Sequence, residues 1–301
     1  LEFRRVLFRS YFSRNISNIK ILRKNAMEKT RCPSEKHYEN SFYRPTVEGI
    51  IINGKRGRLL SVLYGAAGAG LHPVVLLLHG IPGCEQNGDI AQALRRCGFH
   101  VLTFHYSGCF GSDGDYALAN NIEDADTVLD FILNDTQYNF DKSNIFAVGH
   151  SMGGFVCAQL SAARREIKGA ALLMPCNIGR LSKIREENLS AYKTIIRILE
   201  ESSKWLRNAD IEKFLSELEL YEEQFALENL SESLGKKPLL CVSADLDTHT
   251  PPKYHCLPLE NALLTQPEHR VKSVHFNTDH FASDYRLELL HEIIDFFSTL
   301  I

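Results

Sequence analysis

The sequence predicts an α/β protein with a mainly parallel sheet, helices on both faces and one inserted helical segment. Three observations carry that expectation. Short, continuous apolar runs recur from about residue 46 onward, the pattern of strands buried on both faces. Amphipathic stretches separate these runs, giving the rhythm of strand–helix–strand units. One block, about 60 residues between Met174 and Leu239, shows no strand signal at all.

The first two strands are TVEGIII and RLLSVLY, set around the turn dipeptide Asn53-Gly54, a hairpin signal. PVVLLLHG follows as a buried strand, DIAQALRRCGF as a helix ending near Gly98, and HVLTFHY as the next strand. YALANNIEDADTVLDFILND places Ile122, Ala125, Leu129 and Ile132 at helical spacing. NIFAVGH is a strand, SMGGFVCAQLSAARR a helix and GAALLMP a strand. After the strandless block come the strands PLLCVSA and RVKSVHF and the closing helix YRLELLHEIIDFFSTL. The chain shows neither an internal repeat nor a low-complexity stretch.

The strandless block is rich in Glu, Lys, Leu and Ile, with apolar residues at Ile211, Phe214, Leu215, Leu218 and Phe225. That spacing reads as amphipathic helix in about three segments, because a structureless loop of such length does not fit a compact domain. The expected organisation is therefore a core of residues 46–176 and 238–301 with a helical cap at 177–237. The cap either covers a substrate pocket or only stabilises the sheet edge. Residues 1–45 form an N-terminal extension. Its first 26 residues carry seven basic residues and one acidic residue and lack the apolar core of a signal peptide. They are expected to be non-native or disordered and take no part in the fold argument.

Composition narrows the function classes. Hydrophobic residues make up 44% of the chain and charged residues 24%, and the net charge is −3. No basic field argues for nucleic acid or an anionic membrane, and no run approaches the length of a membrane helix. The eight cysteines form no CxxC pair, so neither a zinc nor a redox motif is indicated. They read as reduced core thiols of a cytoplasmic protein.

The segment that carries chemistry is Gly149-His150-Ser151-Met152-Gly153, at the junction of a predicted strand and a predicted helix. GxSxG in that context is the nucleophile elbow. Ser151 has to sit on a sharp turn that lifts its hydroxyl clear of the sheet, and glycines at 149 and 153 remove β-carbons that would clash there. Gly154 adds room for close helix packing. The helix N-terminus behind Ser151 favours developing negative charge. The loop His79-Gly80-Ile81-Pro82-Gly83 follows the strand PVVLLL. In this strand–turn–helix context the expected oxyanion donors are the backbone N–H groups of Ile81 and Met152, and His79 is expected to hold the loop by hydrogen bonding.

A serine needs a base and the base needs a carboxylate to orient it, in the chain order Ser, acid, His. His280 lies just past the last predicted strand, in a loop before the final helix, where sites form in open α/β sheets. His275 sits inside the strand pattern and reads as a sheet residue. Asp245 and Asp247 both fall just beyond the strand PLLCV, and Asp279 adjoins His280. His249 reads as a loop residue.

These motifs, HGIPG, the stretch Phe104–Gly114, GHSMGG, DLDTHTP and TDHF, resemble the α/β-hydrolase superfamily over roughly residues 46–300. In that superfamily a D-x-x-x-P element carries the triad acid, which places it on Asp247. The run HYSGCFGSDGDYALANNIEDADTVLDFI looks most like bacterial hydrolases related to the prolyl oligopeptidase and acylaminoacyl-peptidase group, although this chain has no room for a β-propeller. The resemblance implies a serine hydrolase with the triad Ser151, Asp247 and His280, acting on a small ester, thioester or amide, without metal or cofactor. It also implies that the cap lies over the site, where Trp205, Phe214, Tyr221 and Phe225 would either line an acyl pocket or pack the cap on the core. A non-catalytic receptor on the same fold is the competing reading, and an acyltransferase or lyase on the same scaffold is a third.

Overall fold

In the computed structural model, residues 43–301 are described. The expectations for residues 1–26, and for most of the extension 1–45, lie outside them. Eight strands form one sheet in the order β1-β2-β4-β3-β5-β6-β7-β8. They are β1 (Thr46–Gly54), β2 (Gly57–Gly65), β3 (His72–Leu78), β4 (His100–Phe104), β5 (Phe140–His150), β6 (Ile167–Leu173), β7 (Pro238–Ala244) and β8 (Arg270–Phe276). β1, β2 and β4 pair antiparallel in sequence of position, and β3 to β8 pair parallel. The fold is the α/β-hydrolase fold predicted above.

The central strands are buried on both faces, and their alternate residues feed two separate cores, as the period-two geometry of a strand requires. Val74, Leu76 and Leu78 of β3 point to one face, where α2 (Leu118–Asn134) and α3 (Met152–Ala163) supply Val128, Leu129, Phe155 and Val156. Val75 and Leu77 point to the other, where α1 (Gly88–Arg96) and the C-terminal helix contribute Ile90, Leu94, Ile293 and Phe297. The apolar runs read from the sequence as buried strands are thus continuous because each serves both cores.

Three details differ from the sequence expectation. The hairpin turn is Lys55-Arg56, since Asn53 and Gly54 still pair with Arg58 and Gly57. Gly57 takes the positive φ of 118° that the turn needs, so the glycine after the turn decides its position. The block between β6 and β7 breaks into five α-helices rather than about three: α4 (Leu181–Glu187), α5 (Leu189–Ser203), α6 (Ile211–Leu220), α7 (Glu222–Phe225) and α8 (Ser231–Gly235). Polar caps cut the pattern, with Asn188 accepting from the N–H of Ala191 at 3.1 Å and Asp210 from that of Lys213 at 2.8 Å. Finally, α9 (Cys256–Leu264) precedes β8. Its Pro258 masked it in the sequence but falls in the first turn, where no intrahelical N–H is lost. The last helix, α10 (Arg286–Ser298), ends the fold.

The inserted helices are tied to the core by charge as well as by apolar contact. Glu217 of α6 accepts from the N–H groups of Leu118 and Ala119 at 2.8 and 2.5 Å, capping the N-terminus of α2 from another element. Within the inserted segment itself, Glu228 receives Asn177 at 2.7 Å and Arg180 at 2.6 Å.

The cysteine expectation holds in part. Cys84, Cys109, Cys157, Cys176, Cys241 and Cys256 are free thiols. Cys97 is disulfide-bonded, so the expectation of uniformly reduced thiols fails there. Among the described residues no helix is long and apolar enough to cross a membrane.

Candidate active site

The site is built at the carboxyl ends of the parallel strands. β5 ends at His150 and α3 starts at Met152, so Ser151 alone makes the corner. Its φ of 58° and ψ of −119° lie in a region that side chains other than glycine rarely occupy. Four hydrogen bonds hold it there. The Ser151 N–H donates to the Leu173 carbonyl at 2.9 Å, and its own carbonyl accepts from Gly154, Phe155 and Cys176 at 3.0, 3.2 and 2.9 Å. The flanking glycines are required by contact. A β-carbon on Gly149 would stand 2.0 Å from the Gly153 carbonyl oxygen, and one on Gly153 would stand 2.1 Å from that of Leu78. Gly153→Ala is therefore expected to destabilise the fold by at least about 2 kcal/mol, at the upper end of overpacking costs. Urea unfolding measures it, and an unchanged midpoint would contradict the contact argument.

The loop after β3 lies directly against this corner. A β-carbon on Gly80 would come within 3.1 Å of the Ser151 Cβ and 3.6 Å of its Oγ. Ile81 and Met152 border the same cavity as Ser151. His79 is buried beneath the loop, where its Nδ1 pairs with the Gly80 carbonyl at 2.7 Å and its ring packs on Tyr106. Burial pushes its pKa down to about 3, so it is a neutral holder of the loop.

His280 and Asp247 arrive from the loops after β8 and β7. His280 Nδ1 lies 2.7 Å from Asp247 Oδ2, and both residues are buried. Asp247 Oδ1 accepts from the N–H groups of His249 and Thr250 at 2.7 and 2.9 Å, and its Oδ2 accepts from the Thr250 hydroxyl at 2.7 Å. Burial works to raise the Asp247 pKa, but the hydrogen bonds from His280 and Thr250 outweigh it and hold the carboxyl at about 2. Asp245 is exposed. Asp279 turns to its own loop, accepting from Phe281 and Ser283. His275 stays in β8 and pairs with Ser243 at 2.5 Å. Neither Asp245 nor Asp279 bonds the His280 ring.

Ser151 and His280 border one cavity of about 470 Å³. Its walls are mostly aliphatic, supplied by Leu181 and Ile184 of α4, Ile195 and Leu199 of α5 and Leu218 of α6. Trp205, Phe214, Tyr221 and Phe225 do not line it. Phe214 packs edge-on to Tyr116 and Phe225 on Phe155, and Trp205 is exposed and stacked on Phe110. Trp205, Phe214 and Phe225 thus join the inserted helices to the core, the packing alternative of the two that the sequence left open, while Tyr221 packs on Phe225 within the inserted segment.

Three neighbours were not recognised from the sequence. Thr250 bonds both Asp247 and the Met174 carbonyl, at 3.1 Å for the latter. It was legible in principle, because Asp-x-x-Thr before a proline is an Asx-turn pattern. His150 is buried, and its Nε2 donates to the His280 carbonyl at 2.8 Å. Burial first, then the charge of His280, pushes its pKa down to about 3. His249, read as a plain loop residue, packs its ring edge-on against His280 with 4.7 Å between centroids and borders the cavity.

Two further groups bear on the chemistry. Cys176 borders the cavity too, but burial pushes its thiol up to about 12, so it does not compete as a nucleophile. Asp247, His249 and His280 each offer a donor atom within 4.8 Å of the others. Both Asp247 oxygens accept protein hydrogen bonds, and Oδ2 lies against His280 Nδ1, the contact of a carboxylate that orients an imidazole.

Comparison with known proteins agrees with this architecture. Residues 73–194 match the family described as alpha/beta hydrolase fold, and the chain has that family's fold. It is 31% identical over 121 residues to a multifunctional-autoprocessing repeats-in-toxin protein of Vibrio vulnificus, a match spanning 37% of this chain and 2% of the toxin. It is 30% identical over 147 residues to the lysophosphatidylserine lipase ABHD12 of Gallus gallus, 47% of this chain and 36% of the lipase. The matched region is thus about a third of that relative's length or less. The acylaminoacyl peptidase of Pyrococcus horikoshii superposes with a TM-score of 0.65 at 14% identity, over 86% of this chain and 42% of that one.

Proposed function

We propose that this protein is a serine hydrolase that cleaves an ester, thioester or amide through an acyl-enzyme on Ser151. The observation that carries the proposal is the shared cavity. Ser151, held at a strained corner, borders the same space as His280, whose Nδ1 is engaged by a carboxylate held ionised. That engagement leaves Nε2 as the ring nitrogen able to take a proton.

In the proposed reaction Ser151 Oγ attacks the carbonyl carbon and its proton passes to His280 Nε2. The carbonyl oxygen becomes an oxyanion that accepts from the N–H groups of Ile81 and Met152. The intermediate collapses, the bond to the leaving group breaks and His280 protonates that group as it departs. Water, deprotonated by the same imidazole, then hydrolyses the acyl-enzyme. Asp247 fixes the tautomer of His280 and stabilises the imidazolium. His150 and Thr250 hold His280 and Asp247 in place. Helices α4 to α6 act as a lid that keeps the acyl chain from water, a role their aliphatic side chains in the cavity wall support. The sequence match to a lysophosphatidylserine lipase favours an ester among the three bond types.

A fluorophosphonate probe tests the reading. Wild type is expected to be labelled and Ser151→Ala not. An unlabelled wild type would favour a ligand receptor on this fold.

A further inference from the structure

Asp247, His249 and His280 bring three donor atoms within 4.8 Å of one another. They differ in how far they are committed. His280 gives Nδ1 to Asp247 Oδ2 at 2.7 Å, which leaves Nε2. His249 donates its backbone N–H to Asp247 Oδ1 at 2.7 Å, but its ring nitrogens make no hydrogen bond within the described residues. That ring is half-buried and borders the cavity. It stands edge-on to the His280 ring, with 4.7 Å between centroids and 82° between planes.

An imidazole whose far nitrogen is held by a carboxylate is the form in which proteins present histidine to zinc. The carboxylate fixes the ring and makes its free nitrogen more basic. His280 is held in that way by Asp247. The second imidazole is at the right separation. Zn–N bonds of about 2.0–2.1 Å at the tetrahedral angle put the centres of two bound imidazoles about 5 Å apart, against 4.7 Å here. Imidazole donors suit zinc, whereas magnesium and calcium take oxygen ligands. The Asp247 carboxylate behind the pair supplies the negative charge that a cation needs.

We propose that His249 and Nε2 of His280 together bind a zinc ion that reversibly inhibits the enzyme. The metal takes the lone pair that receives the Ser151 proton in the proposed reaction, so Ser151 keeps its proton and does not attack. Water fills the remaining positions on the metal. No covalent bond of the protein breaks and no electron is transferred, so removing the zinc restores the base. The inhibition rests on the acyl-transfer reading above, and the binding does not.

The test measures initial rates on p-nitrophenyl octanoate at free zinc concentrations set by a chelator buffer. Wild type, His249→Phe and Cys84→Ser are compared, each relative to its own zinc-free rate. Wild type is expected to lose activity at micromolar free zinc, weaker than structural sites because two protein ligands hold the ion rather than four. EDTA is expected to restore it, and magnesium to have no effect. His249→Phe keeps a ring against His280 and removes both nitrogens. Its midpoint is expected at least tenfold higher, the least that losing even an outer partner of a metal costs. His249→Gln is expected to shift in the same direction. Cys84→Ser removes the exposed thiol that borders the cavity and is expected to keep the wild-type midpoint. A wild type insensitive to zinc would overturn the proposal, as would equal midpoints in wild type and His249→Phe or loss of inhibition in Cys84→Ser.

Calorimetric titration of Ser151→Ala with zinc reads the site without turnover. One equivalent is expected to bind at micromolar zinc, and at least tenfold more weakly once His249→Phe is added. Equal binding in the two proteins would overturn the metal site. A wild type inactive on the ester, with this binding difference intact, would contradict the acyl-transfer reading and leave the metal site standing.

Discussion

Ser151→Ala is expected to lower kcat on a p-nitrophenyl ester by on the order of 10⁶, the scale seen when the nucleophile of a serine hydrolase is removed. The size follows from what remains. The variant keeps the cavity, the loop of Ile81 and the helix end at Met152, so it still binds and polarises a carbonyl. It has no oxygen to form the covalent bond, and the residual rate is that of water in a preorganised site. The fold is expected to survive, because every hydrogen bond that pins residue 151 runs through its backbone. A variant that retained a tenth of wild-type turnover would remove Ser151 from the mechanism.

Asp247→Asn is expected to cost about 10⁴ in kcat, as the equivalent change does in the serine proteases. The geometry explains why so small a change should act so strongly. The carbonyl oxygen of the new carboxamide would keep the two backbone bonds now made by Oδ1, from His249 and Thr250. Its NH₂ group would replace Oδ2, the atom that now pairs with His280 Nδ1. An amide donates there, so Nδ1 becomes the acceptor and the imidazole proton moves to Nε2. The ring is then in the tautomer that cannot take the proton of Ser151. Loss of the negative charge also removes stabilisation of the imidazolium. Circular dichroism should be unchanged and kcat measured on the same ester should fall. A loss below tenfold would mean that another group orients His280.

Much of this arrangement was legible in the sequence because its determinants are local. GHSMG needs a strand before it and a helix after it, and both are written in the apolar runs on either side. That the sheet is mainly parallel follows from alternating elements, although its strand order, with β4 between β2 and β3, does not, and His280 follows from its place after the last predicted strand. The assignment of the acid was not local. Asp245, Asp247 and Asp279 are equivalent by residue type, and only the superfamily's D-x-x-x-P spacing singled out Asp247. In three dimensions Asp245 faces solvent and Asp279 closes its own loop, facts set by loop conformation.

The cavity wall was the least legible part. Aromatic residues in the inserted segment drew attention by size, yet the wall is made by Leu181, Ile184, Ile195, Leu199 and Leu218. Which face of each helix turns to the cavity depends on the caps at Asn188 and Asp210, which reset the helical phase between segments. His249 and His150 were passed over for a related reason. Each makes its contacts with His280 across a long sequence separation, and no local pattern announces such a meeting.

The most direct test is to locate the phosphonyl group after fluorophosphonate treatment, by peptide mapping of wild type and of His280→Ala. The proposed mechanism requires one adduct, on the hydroxyl of residue 151, formed at least a hundredfold more slowly once the imidazole is gone, about the smallest contribution of a positioned base. An adduct on any other residue, or equal labelling rates in the two proteins, would contradict it.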